Sequence, residues 1–142
     1  MRAKSQRNWR RRWLKVVKAD RDWDGAYLLE LINHKLHLML DFYSSDEPMQ
    51  VDESRLQIVK ELKEVCELGD NILNDTYHAA AEAVFDKHCQ MKVTDGIFCV
   101  TWDTPQDKEN HERLSKQGDK DMEAAIAKFF YLISRDYRNW WD

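Results

Sequence analysis

The chain has few of the residues that interrupt regular secondary structure, with four glycines and two prolines in 142 residues. Both residue types tend to end or bend helices, so their scarcity predicts long regular elements. The three cysteines, Cys66, Cys89 and Cys99, are odd in number and show no Cys-x-x-Cys spacing. That count argues against a disulfide framework and a zinc site, and it is typical of a reducing cytoplasm.

Long apolar runs are also missing. No stretch approaches the roughly 18 residues of a membrane span, and no uninterrupted apolar segment follows the basic start as it would in a secretory signal. We therefore expect a cytoplasmic protein without a membrane partner.

Motifs that carry chemistry are absent as well. The sequence has no P-loop, no Gly-x-Gly-x-x-Gly and no nucleophile elbow. It has no Glu-x-x-His, which di-iron bundles need on two helices. His34 and His37 are then expected on an exposed polar face, and the cysteines as buried structural thiols. These absences predict that the chain is not an enzyme and uses no cofactor and no metal.

Charge is distributed unevenly along the chain. Residues 1–18 contain eight Lys or Arg and no acid, whereas the remainder holds all 26 acids. A basic segment beside an acidic body suggests a polyelectrolyte partner for one of them. The acids could mimic a nucleic-acid backbone if they cluster on one face, but a solvated surface is the simpler interpretation.

The basic segment has helical phase. At 100° per residue Trp9, Trp13, Val16 and Val17 share one arc, and Arg11, Lys15 and Lys18 lie opposite. Arginine and lysine could neutralise phosphates while the tryptophans stack on bases. Two alternatives stay open: a solvated helix face over a core that contains both indoles, and docking on the acidic body.

Apolar residues recur at intervals of three and four residues in three further runs. They predict a helix over about 23–43, with Asp22 or Asp24 as N-cap, and a helical run over 53–88 with a break near 74–78. The last run, from about 119, has Met122, Ala125, Ile126, Phe129, Leu132, Ile133 and either Tyr137 or Trp140 on its predicted buried face.

The only strand signal lies around Asp95-Gly96, a dipeptide suited to a type I′ turn. It predicts a hairpin of 91–94 with 97–102, and the polar residues 103–118 are expected as a loop or short solvated helix. The length suits one domain over 1–142. The predicted fold is therefore mostly α, a three- to four-helix bundle with a small β-hairpin inserted before the last helix.

Three short motifs resemble a group of small phage proteins with no assigned activity. They are Asp22-Trp23-Asp24 before the first long helix, Asp75-Thr76-Tyr77 late in the middle helix, and Trp140-Trp141-Asp142 at the end. The resemblance covers roughly 20–77 and 120–142. It implies a phage origin and a helical fold, and it supplies no catalytic residues.

These observations favour a non-catalytic phage-type protein that binds and blocks a host macromolecule, a host protein or ribonucleoprotein complex, in the host cytoplasm. An anti-defence inhibitor of the anti-CRISPR kind is the most concrete version, and a nucleic-acid-binding protein is the alternative. The wide apolar arc of the first long helix leaves room for a homodimer. The candidate contact residues are Arg7, Trp9, Arg10, Arg11, Arg12, Trp13, Lys15, Lys18, Trp140 and Trp141.

Overall fold

The computed structural model describes residues 2–18, 25–45 and 53–140, with side chains described from Arg10 onward. Five α-helices and one antiparallel hairpin make up these ranges, and a 3-10 turn closes them, so a mostly α fold with a hairpin before the last long helix is confirmed. The elements are α1 Arg2–Val17, α2 Gly25–Ser44, α3 Glu53–Leu73, α4 Ala79–His88, β1 Cys89–Thr94, β2 Ile97–Trp102, α5 Pro105–Asp136 and the C-terminal turn Tyr137–Trp140.

Helix α3 lies at the centre because it packs against both α2 and α5. Its residues Leu62, Val65 and Cys66 are almost completely buried, and their spacing of three and four places them on one face. Phe129 of α5 and Leu36 of α2 close the core from the two sides. The main core is thus formed by three helices.

The predicted break at 74–78 is confirmed, and Asp75 is its pivot. Asp75 has a positive φ of 47°. Its N–H donates to the Ile72 carbonyl at 3.2 Å, and the Thr76 N–H donates to the Asn71 carbonyl at 3.1 Å. These two bonds are those of a Schellman motif, which satisfies carbonyls left open at a helix end. The turn separates α3 from α4.

The hairpin is confirmed and is longer by two residues at its start. Asp95 and Gly96 have φ values of 53° and 76°, as a type I′ turn requires. Pairing runs from Thr94 opposite Ile97 to Cys89 opposite Trp102. Strand β1 therefore follows directly from the last residue of α4.

Of the two expectations for 103–118, the loop is wrong, and the solvated helix is correct in state but too short. Residues 105–118 form the first half of α5, which has 32 residues. Thr104 is the N-cap, since its hydroxyl accepts from the Asp107 N–H at 3.1 Å, and Pro105 follows in the first turn. This half lacks a continuous apolar stripe because it packs on the short α4 and on β2 rather than on the main core.

One other position differs from expectation. Ile126, predicted on the buried face of the last helix, is exposed, whereas Ala125 and Phe129 beside it are buried. Part of the wide apolar arc of α2 is uncovered, because Leu28 and Phe42 are exposed. The proposed caps Asp22 and Asp24 lie outside the described residues.

Candidate binding surfaces

The hairpin presents an apolar face built by two cross-strand pairs. Met91 lies opposite Val100 and Val93 opposite Phe98, and opposed residues point to the same side of a sheet. All four side chains are between 53% and 76% exposed. Apolar residues at this degree of exposure form an uncovered surface, which we call the hairpin face.

The opposite side of the hairpin is largely polar. It carries the pairs Gln90–Thr101, Lys92–Cys99 and Thr94–Ile97. Alternation therefore gives the two strands one apolar and one mostly polar side. All residues of both strands are exposed except Cys89 and Trp102, which are half-buried.

A small aromatic cluster fixes the base of the hairpin. The Trp102 ring lies 5.7 Å from the Phe85 ring of α4 and 5.0 Å from the His111 ring of α5, measured between centroids. The Asp103 N–H also donates to the His88 carbonyl at 2.9 Å. Because Trp102 is on the same side as the hairpin face, that face continues outward from a packed region.

Helix α1 lies against α2, and the contacts described between them include an ion pair and a ring contact. Arg12 Nη1 and Asp41 Oδ2 are 2.7 Å apart, and the Trp13 and His34 rings meet edge to face at 4.8 Å. Burial lowers the pKa of His34, and the nearby Arg12 and His37 lower it further. His34 is therefore neutral under the Trp13 ring near pH 7.

The predicted contact residues fall into three groups. Arg10, Arg11, Arg12 and Lys15 are exposed on α1, Lys18 is exposed directly after it, and Trp13 is half-buried against α2. The side chains of Arg7 and Trp9, and all of Trp141, lie outside the described residues. Trp140 belongs to the core and is not available at the surface.

Trp140 is held by polar contacts that the sequence did not indicate. Its Nε1–H donates to the buried Glu61 carboxylate at 3.1 Å, and its carbonyl accepts from the Tyr43 hydroxyl at 3.2 Å. Gln57 also donates to Glu61, at 3.0 Å. An apolar cleft of about 640 Å³ adjoins Trp140 between α2 and the C-terminal turn.

The histidines are half-buried rather than displayed on a polar face. His37 contacts Asp70 at 2.8 Å, and His88 contacts Asp103 at 3.3 Å. The sequence interpretation was wrong because each ring lies where two elements meet, which spacing along one helix cannot show.

His78 joins the turn after α3 to α5. Its Nδ1 lies 2.6 Å from Asp75 and its Nε2 lies 3.0 Å from Asp119. These hydrogen bonds, that to Asp75 first, raise the pKa of His78. Gly118 makes room for the ring, since a Cβ there would meet it at 2.6 Å.

The thiols differ from one another. Cys66 is buried, and burial, followed by the negative charges of Asp70 and Asp41, raises its pKa to about 12. A thiol in that setting stays protonated and is a poor nucleophile. Cys89 is half-buried and Cys99 is exposed, so the expectation of buried thiols is confirmed only for Cys66.

The described residues contain neither a candidate metal centre nor a candidate membrane-spanning helix. In residues 10–18, 25–45 and 53–140 no group of three or more His, Cys, Asp or Glu side chains is placed to hold a metal ion. Among the helices described, none is both long and apolar enough to cross a membrane.

The comparisons with known proteins add no relationship: no family model, no curated protein and no solved structure matches this chain.

The hairpin face is the surface that sequence reasoning missed. Its signal was present as Met91 and Val93 on one strand and Phe98 and Val100 on the other, which a two-residue turn places on one side.

Proposed function

We propose that the chain is a non-catalytic protein-binding protein that uses the hairpin face as its contact surface. The observation that carries this proposal is the exposure of Met91, Val93, Phe98 and Val100 side by side. Exposed contiguous apolar patches mark interaction sites because leaving them in water costs free energy. The face bears no cation, so it suits an apolar protein surface better than a phosphate backbone.

The more specific version is a phage protein that blocks a host protein or ribonucleoprotein complex in the host cytoplasm, as an anti-defence inhibitor of the anti-CRISPR kind. Its support is the resemblance of the Asp22-Trp23-Asp24 and Trp140-Trp141-Asp142 motifs to small phage proteins.

A capture experiment with matched variants tests the protein-binding proposal. Tagged wild-type chain, Phe98→Ser and Ile97→Ser are incubated with bacterial lysate, with and without nuclease. Phe98 and Ile97 are adjacent and both exposed, but they point to opposite sides of the hairpin. We expect a protein captured by the wild type and by Ile97→Ser, insensitive to nuclease, and lost with Phe98→Ser. Equal capture by all three chains contradicts the proposal.

Nucleic-acid binding through α1 is the second candidate. It is supported by Arg10, Arg11, Lys15 and Lys18, which are exposed and form no ion pair within the described residues, whereas Arg12 is paired with Asp41. Affinity for a DNA or RNA duplex would then fall steeply with salt. The logarithm of the binding constant would fall linearly with the logarithm of the salt concentration, with a slope of about 0.9 per phosphate contact.

Charge-matched variants test this second candidate by fluorescence anisotropy over a salt series. The α1 variant replaces four cations by alanine, and the control removes the same charge from α3 and α5. The positions are Arg10, Arg11, Lys15 and Lys18 in the variant, and Lys60, Lys63, Lys116 and Lys120 in the control. Binding that both variants weaken equally reflects net charge alone and counts against a site on α1.

A further inference from the structure

We infer that the hairpin face takes a second copy of this chain, in a two-fold contact between the two hairpin faces. The inference rests on the proposed protein-binding function and names the partner that occupies the same surface. Its basis is the charge, the area and the layering of the hairpin.

The charge pattern permits self-association. The chain carries a net charge of -4, so two copies repel each other at most orientations. Lys92, however, is on the opposite side of the hairpin, and Asp95 is at the turn, so the hairpin face itself bears no charged side chain. Two such faces can meet without placing like charges in contact, and the same patch serves both copies, as a two-fold interface requires.

The area corresponds to a weak, reversible dimer. Four large apolar side chains, each more than half exposed, present on the order of 400–500 Å² of surface. Two faces in contact would bury about 900 Å², close to the lower bound of roughly 1,000 Å² for a specific interface. We therefore expect a reversible dimer that dissociates on dilution rather than an obligate one.

The lack of a second layer over the outer part of the hairpin face also supports a second copy of this chain as the partner. A two-stranded hairpin is only marginally stable in water unless its apolar side packs against another layer. In the described residues only the base of the face, at Trp102, has such packing, from Phe85 and His111. A second hairpin stacked about 10 Å away would supply the missing layer for the outer residues. A target protein would then compete with the second copy for the same face.

Sedimentation velocity over a concentration series tests the inference under reducing conditions, because Cys99 is exposed. We expect the wild type to approach twice the 17.0 kDa chain mass as concentration rises. Phe98→Ser should raise the dimer dissociation constant at least about tenfold, as expected for an aromatic anchor. Ile97→Ser, on the opposite side, should leave it unchanged. Circular dichroism confirms that each variant keeps its helical content.

A cross-linking measurement gives the orientation independently. In a Cys99→Ser background, Val93→Cys places a thiol on the hairpin face and Lys92→Cys places one on the opposite side. Mild oxidation should cross-link two copies of the first variant and leave the second monomeric. Equal cross-linking of both, or an Ile97→Ser variant as impaired as Phe98→Ser, overturns the inference.

A failure of this inference can be distinguished from a failure of the proposed function. A wild type that stays monomeric at all concentrations but captures a lysate protein in a Phe98-dependent way overturns the second copy as partner and leaves the proposed function standing. A Phe98-dependent dimer that captures no other protein supports the second copy and contradicts the blocking of a host macromolecule.

Discussion

At the scale of single residues, Gly69 sets how closely three helices approach. A Cβ at this position would lie 2.3 Å from the Asn33 Oδ1 and 2.9 Å from the Phe129 ring. Asn33 cannot move freely, because its amide donates to Asp70 at 2.7 Å and its side chain is buried. The sequence showed a glycine inside a helical pattern but could not show which side chains required it.

Gly69→Ala should therefore lower the free energy of unfolding by up to about 2 kcal/mol, since overpacking costs about 1–3 kcal/mol and alanine recovers about 1 kcal/mol of helix propensity. Chemical denaturation measures the change. Gly25→Ala is the control, because a Cβ at Gly25 meets nothing within 4 Å. Equal stability of the two variants would contradict the close approach.

Two histidines should titrate on opposite sides of the ordinary histidine pKa of 6.5. Hydrogen bonds to Asp75 and Asp119 raise the pKa of His78, whereas burial lowers the pKa of His34. The protonated His78 stabilises the fold fully below pH 6.5, and that stabilisation is lost as pH rises through its raised pKa. For His34 the unfolded chain takes up the proton first, so stability falls as pH drops below 6.5.

Proton NMR of the histidine rings checks these directions, with His78→Gln and His34→Gln used for assignment. Asp119→Asn should lower the pKa of His78 and leave that of His34 unchanged. A His78 signal that titrates at or below 6.5 would be incompatible with the two carboxylate contacts.

At the scale of elements, periodicity predicted what apolar stripes and turn residues encode. The break at 74–78 and the Asp95-Gly96 turn are local signals, and both are confirmed. The long helix over 105–118 was not predicted, because it depends on the Thr104 cap and on packing against α4 and β2, which apolar spacing within the segment does not encode. The Thr104-Pro105 pair is a recognisable helix start, but the polar residues after it gave no apolar stripe to indicate that a long helix follows.

Thr104→Ala should cost about 1 kcal/mol of stability, because it removes the hydroxyl that accepts the Asp107 N–H. Thr104→Ser keeps a hydroxyl at the same place and should retain most of the wild-type stability. Thermal unfolding of the three chains gives the comparison. An alanine variant as stable as the serine variant would show that the cap contributes little.

At the scale of the whole molecule, the described residues form two packed regions joined by α5. Its second half contributes Phe129 to the main core, and its first half holds His111 against Trp102. The composition of the main core was predictable from apolar spacing. The second region was not, because it depends on aromatic residues from three elements whose contact no single stripe encodes.

Trp102→Ala should loosen the second region without unfolding the first. We expect hydrogen exchange of β1, β2 and α4 amides to become at least about tenfold faster, while amides of α3 around Leu62 remain protected. A Phe98→Ser background removes any contact between hairpin faces, so the comparison reports one chain. Loss of protection throughout α3 would show that the two regions unfold as one.

The 32 residues of α5 also make it a lever. At 1.5 Å per residue it measures about 48 Å, so a tilt of roughly 5° at the end that holds Phe129 swings the other end by on the order of 4 Å. A partner bound to the exposed strands would therefore lie beside the end of α5 that moves most. A small change in the packing around Phe129 would then shift the bound surface.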